Sequence, residues 1–120
     1  MPHFIKSVSF AINGLKLVLK EKHIKIHLIV AVLVAAAGFY FKITYTEWCI
    51  VLICIGVVLS LEIINTAIEH FVNLVEPNYN SKAGAIKDLA AGAVLVFSII
   101  TIIIGIMIFG KYILNLLFNF

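Results

Sequence analysis

Arginine does not occur in this 120-residue sequence, and six acids stand against nine lysines. Charged residues make up 12% of the chain, about half the share of roughly 25% usual in soluble domains. So thin a charge complement excludes an ordinary soluble surface. The net charge of +3 then speaks to membrane orientation rather than to nucleic acid. Cysteine is limited to Cys49 and Cys54, which point to different sides of a helix. They suggest neither a bridge nor a metal pair, only apolar filling. Proline is limited to Pro2 and Pro77. An uninterrupted apolar stretch is also missing from the first twenty residues, where lysines are evenly spread, so no cleavable signal peptide is expected.

What is present is grease. Hydrophobic residues account for 63% of the chain and the mean hydropathy is +1.16. A soluble core of this length cannot hide so much apolar surface, so a bilayer must take the excess. The expectation is an all-α integral membrane protein, a single domain over residues 1–120.

From Phe4 to Lys20 the polar residues Lys6, Ser9, Asn13, Lys16 and Lys20 recur three and four apart, with Ile5, Val8, Ile12, Leu15 and Leu19 between them. This pattern predicts an amphipathic helix over about 4–20, basic on its polar side, suited to the membrane interface. A charged collar, Glu21 to His27, follows. A first span is expected over about 26–41; its 16 residues make about 24 Å of helix, short for a ~30 Å core unless Lys25 and Lys42 snorkel. Tyr40, Tyr45 and Trp48 form an expected aromatic belt around a brief polar connection. A second span is expected over about 48–75, ended by turn residues Pro77 to Lys82. The third, about 85–110, contains 22 uncharged residues from Leu89 to Gly110. Lysines crowd the N-terminal flank, which places the N-terminus and the 76–86 turn in the cytoplasm.

Carboxylates interrupt the second span. On a helix, Glu62, Asn65, Thr66, Glu69 and Asn73 fall within an arc of roughly 100°, and such polar groups in a greasy helix are costly enough to mark a functional site. With Glu21, Lys87 and Asp88 they gather at the cytoplasmic membrane face. Glu21 and Glu69 are oxygen donors suited to Mg²⁺, which is held by one or two carboxylates plus substrate phosphates. Lys87 can pair with phosphate oxygens, while Asn65, Asn73 and Asp88 can orient a nucleotide or a metal-bound water. Glu62, deeper, can take a proton from a lipid hydroxyl. Together these are the parts of a phosphoryl transfer from ATP to a lipid alcohol. The alternative is a small oligomeric transporter or channel with Glu62 and Glu69 as an ion or proton relay. It leaves the clustering of Lys87 and Asp88 unexplained.

Other signals carry less. His23 and His27 are four apart, but no third ligand is placed, so they read as interfacial histidines. His70 points about 100° away from Glu69 and receives no role. Gly105 to Lys111 spells the front of a nucleotide-binding loop, but Tyr112 stands where Ser or Thr is needed and the segment ends an apolar helix.

Glu62-x-x-Asn65-Thr66-Ala67-Ile68-Glu69-His70, followed by Lys87-Asp88-x-Ala90-Ala91-Gly92-Ala93-Val94, resembles the signature of the prokaryotic diacylglycerol kinase family, which includes undecaprenol kinases. With the N-terminal helix and its Gly14, the Glu21 to His27 collar and three spans, the resemblance covers nearly the whole chain. It implies a homotrimer in the bacterial cytoplasmic membrane, with sites between protomers facing the cytoplasm and MgATP as donor. It implies Glu62 as general base, Glu69 and Glu21 as magnesium ligands, and Asn65, Lys87 and Asp88 at the nucleotide and transferring phosphate. Glu21 aligns after a one-residue gap from Gly14. Two departures stand out: Asn73 replaces a usual aspartate, and with no arginine in the chain only Lys6 can take the place of an N-terminal phosphate-contacting Arg. The acceptor, diacylglycerol or undecaprenol, stays open; the Asn-Thr-Ala-Ile-Glu-His wording leans slightly toward undecaprenol.

Overall fold

A computed structural model describes residues 2–78 and 80–119. Four helices follow one another: α1 (Pro2–Val18), α2 (Lys22–Phe41), α3 (Tyr45–Val75) and α4 (Ser81–Phe118). No strand occurs among the described residues. The last three helices are each long and apolar enough to cross a membrane, and most of their large hydrophobic side chains face outward. In water that exterior would be untenable; in lipid it is the expected surface. The protein is an all-helical membrane protein with an N-terminal helix outside its three spans.

The helices start and stop on local chemistry. Pro2 opens α1, a position where its missing N–H costs nothing. Among the described residues of α1 only Val18 is buried, so this helix stands off the others. The collar Lys22 to His27 is helical rather than a preface to the span, since nothing in it breaks a helix. That brings α2 to 20 residues, about 30 Å, which makes up the length the shorter 26–41 estimate lacked. It ends at Lys42, which adopts the left-handed conformation (φ 52°, ψ 54°).

α3 begins at Tyr45, three residues earlier than expected, because Thr44 and Glu47 form a reciprocal capping box: Thr44 Oγ1 accepts from the Glu47 amide at 3.2 Å, and Glu47 Oε1 accepts from the Thr44 amide at 2.9 Å. α4 begins at Ser81 because the Asn80 side chain accepts from the Lys82 and Ala83 amides. At its far end α4 runs through Gly110 to Phe118. An isolated glycine costs a helix only about 1 kcal/mol, and Lys111 and Tyr112 beyond it are both bound to Glu47.

Tyr112 meets Glu47 and Lys87 meets Asn73, at opposite ends of both helices, so α3 and α4 are antiparallel in constant register. Packing is densest beside the α2–α3 connection, around Ile43, Val51 and Ile108 with Phe41, Trp48 and Phe109 against them. Trp48 departs from the expected belt. Tyr40 and Tyr45 are exposed, but the indole turns inward over Gly38 and against the Phe39 ring. The well-packed end thus lies away from the sequence-expected site and holds the helices that carry it.

Candidate active site

One stripe of α3 organises both core and site. Its buried residues are Glu47, Val51, Cys54, Val58, Glu62, Asn65 and Val72, spaced by three, four or seven as one face of a helix requires. Glu62 and Asn65 are therefore buried because they occupy packing positions. The facing row of α2 is Ile24, His27, Ala31, Val34 and Gly38, again three and four apart. Ile24, only 2% exposed, anchors its first turn, and His27 lies one turn further on.

That juxtaposition supplies a partner for the deep carboxylate. His27 Nε2 stands 3.3 Å from Glu62 Oε2, with 7% of the glutamate side chain exposed. Among the described residues no other side chain makes a polar contact with this carboxylate. Thr66 bonds only to the Glu62 backbone carbonyl, at 3.0 Å. One turn on, Asn65 Nδ2 donates to Glu69 Oε1 at 3.3 Å. Its own Oδ1 is buried with no partner, an acceptor waiting for a donor or a cation.

Glu21 sits between α1 and α2 in the cap position, yet its side chain does not cap the helix. It turns instead to α3, where Oε1 lies 3.2 Å from His70 Nε2. His70, which helical spacing alone leaves without a role, thus brings Glu21 beside the turn that carries Glu69: the 100° offset of His70 from Glu69 aims it at the α1–α2 elbow. Lys87 Nζ donates to Asn73 Oδ1, tying the last turn of α3 to the start of α4. These two residues also line a polar depression of about 310 Å³ with Glu76, Asn80 and Gly84. Asp88 is exposed beside Lys87. Lys6 is exposed on α1, and no contact ties it to the other candidates.

Beside His27, between α2, α3 and α4, lies an apolar cavity of about 320 Å³. It runs from His27 and Ser98 past Val58 and Thr101 to Val51 and Phe109. The span from the level of Glu62 to that of Val51 is about 16 Å of helix. Its lining is almost wholly hydrocarbon, and the buried Thr101 hydroxyl has no partner.

The donor set can be tested against magnesium. Among the described residues no three His, Cys, Asp or Glu side chains converge, so a fully protein-ligated ion does not fit. Glu69, the unpartnered Asn65 Oδ1 and the nearby Glu21 offer hard oxygens from two elements, which suits a cation shared with phosphate groups.

Residues 9–109 match the prokaryotic diacylglycerol kinase family. The chain belongs to that family. This makes it a membrane lipid kinase, and gives the transporter reading no support. The family match includes every candidate residue except Lys6. A protein named undecaprenol kinase from Bacillus subtilis (strain 168) is 41% identical over 107 residues, which cover 88% of this chain and 87% of that one. A protein named diacylglycerol kinase from Synechocystis sp. is 30% identical over 106 residues, covering 87% of this chain and 61% of the longer relative.

For this diacylglycerol kinase family member, sequence reasoning passed over His27, His70 and the Glu47–Lys111–Tyr112 cluster. The signal for His27 was its place in the 24-27-31-34-38 row. The signal for Glu47 was the Thr44-x-x-Glu47 spacing of a capping box.

Proposed function

We propose that this protein transfers the γ-phosphate of MgATP to the hydroxyl of a membrane lipid alcohol at the cytoplasmic face of a bacterial cytoplasmic membrane. The observation that carries this reading is Glu62: a buried carboxylate 3.3 Å from His27, which itself lines an apolar cavity between the helices. A lipid lying with its hydrocarbon in the bundle and its hydroxyl at that level would present the proton to Glu62.

Glu62 takes the hydroxyl proton as the lipid oxygen bonds to the γ-phosphorus. The bond to the β-phosphate oxygen breaks, and ADP leaves. Asn65 holds the Glu69 carboxylate in place through its amide. Glu69 and Glu21 would hold magnesium, with Asn65 Oδ1 beside them; bound there, the cation supplies positive charge to the phosphate oxygens. Lys87 meets the nucleotide phosphates from α4, steadied by Asn73, and Asp88 orients the nucleotide next to it. Lys6 reaches the phosphates only if α1 of the same or a neighbouring protomer lies over the site, which suits a homotrimer with shared sites.

Undecaprenol is the acceptor we place first, on the 41% identity to a protein of that name and on a single continuous cavity, which suits one hydrocarbon chain; diacylglycerol is second. The test is phosphate transfer from labelled MgATP by purified protein in mixed micelles. Both lipids are offered in parallel, with Glu62→Gln as control. The expected result is product on undecaprenol and a turnover roughly 10²–10⁴-fold lower in the variant. Product on diacylglycerol alone reverses the order of acceptors, and no product on either lipid from a folded oligomer overturns the proposal.

A further inference from the structure

We infer that His27 positions the general base, an inference that rests on the reading of Glu62 as that base. A glutamate has three rotatable bonds, and a base must be held within a fraction of an ångström of its target to be useful. Glu62 is buried, with 7% of its side chain exposed, and its carboxylate has His27 as its single polar partner among the described residues. Catalytic contacts in ligand-free sites are commonly somewhat long and tighten on binding; a separation of 3.3 Å is one such contact.

His27 is itself well placed to act as a fixed point. It belongs to the α2 row that Ile24 buries one turn before it and that Gly38, under the Trp48 ring, locks at the other end. The backbone that carries the imidazole is thus held against α3 on both sides of it. The ring's Nε2 lies 3.3 Å from Oε2, so one side of the carboxylate is held while the rest can face the acceptor. The acceptor hydroxyl meets the held carboxylate of Glu62 and gives its proton to it as the new phosphorus–oxygen bond forms and the bond to the β-phosphate oxygen breaks. His27 also lines the apolar cavity beside Val58 and Ser98. A single residue thus sets the orientation of the base and borders the place where the lipid chain enters beneath it. His27 is a positioning residue, acting on the acceptor only through Glu62.

The test is a cycle of variants assayed in mixed micelles, each shown to be folded by its melting midpoint in detergent. His27→Phe keeps a ring and removes the donor. His27→Gln keeps an N–H that can reach the same distance. Both are made alone and with Glu62→Gln. The expected result is a kcat lower by roughly 10–100-fold for His27→Phe, an unchanged KM for MgATP, and recovery to within about fivefold of wild type by His27→Gln. In the Glu62→Gln background neither substitution should lower kcat further, because residues acting as a unit are not additive. If His27→Phe does not fold, His27→Asn, whose amide is too short to reach, takes its place. The inference is overturned by wild-type kcat in the donor-free variant, by no recovery with Gln, or by a loss that multiplies with that of Glu62→Gln. A fully active Glu62→Gln protein is a separate outcome, and removes the base reading itself.

Discussion

Gly38→Ala offers a measurable test of how α2 is fastened to α3. A Cβ at this position would stand 2.7 Å from Trp48 Cη2, 2.8 Å from Cζ2 and 3.2 Å from Ile43 Cδ1. Carbon atoms rest at about 3.5–4.0 Å, so the indole must withdraw by roughly 0.8–1.3 Å. It has little room to do so, since the Phe39 ring lies 4.9 Å away, centroid to centroid. Overpacking of this kind costs about 1–3 kcal/mol. Against it stands the gain of about 0.8–1 kcal/mol from replacing glycine by alanine inside a helix. Gly56→Ala separates the two, because a Cβ there meets nothing within 4 Å and only the helix gain remains. Gly38→Ala should therefore be less stable than Gly56→Ala by about 1–3 kcal/mol, read as the difference in denaturant unfolding followed by circular dichroism in one detergent. Equal stability of the two variants would refute the claim that the Gly38–Trp48 contact pins α2.

Further predictions concern the polar groups. Glu69→Gln should raise the magnesium concentration needed for half-maximal phosphate transfer, with Glu62-dependent turnover at saturating magnesium less affected; a magnesium titration checks it. Asn73→Asp places a carboxylate on Lys87 and should weaken MgATP binding roughly 2–5-fold, the scale of an exposed ion pair; an unchanged KM would show that asparagine here carries no consequence. Glu47→Gln breaks the pairing with Lys111 and should lower the unfolding midpoint while leaving the KM for MgATP where it was, since the cluster lies at the opposite end of α3 from Asn73.

Helical periodicity is a local property, and what depends on it could be read from the sequence. The three spans, the separate N-terminal helix and the alignment of Glu62, Asn65 and Glu69 on one face of α3 all follow from spacings of three and four. What depends on which rows meet could not be read so directly. His27 looked like an interfacial histidine because its partner is 35 positions away on another helix. α4 looked finished at Gly110 because the contact that extends it, Tyr112 to Glu47, spans 65 positions. Trp48 looked like a belt residue until Gly38 provided a place for the indole. The capping box is the instructive omission: Thr44 and Glu47 stand three apart in the sequence, and the signal was local. The roles assigned to Lys6 and Asp88 gain nothing from the single chain, since neither residue is drawn against the others.

The stripe on α3 that runs from Glu47 to Val72 has a consequence for how this helix can vary. Structural and chemical residues on it are in phase, with Val51, Cys54 and Val58 leading without a break into Glu62 and Asn65. Deleting one residue after Val58 would turn the following half by about 100° and draw it back by about 1.5 Å. Glu62 would then leave His27, and the hydrophobic seam would lose its lower half in the same step. Insertions of three, four or seven residues would keep the carboxylate on the seam but move it about 4.5–10.5 Å along the bilayer normal, away from the level at which α4 delivers Lys87. The distance between core and carboxylate along α3 is therefore a fixed length, held on one side by packing and on the other by the depth of the membrane surface.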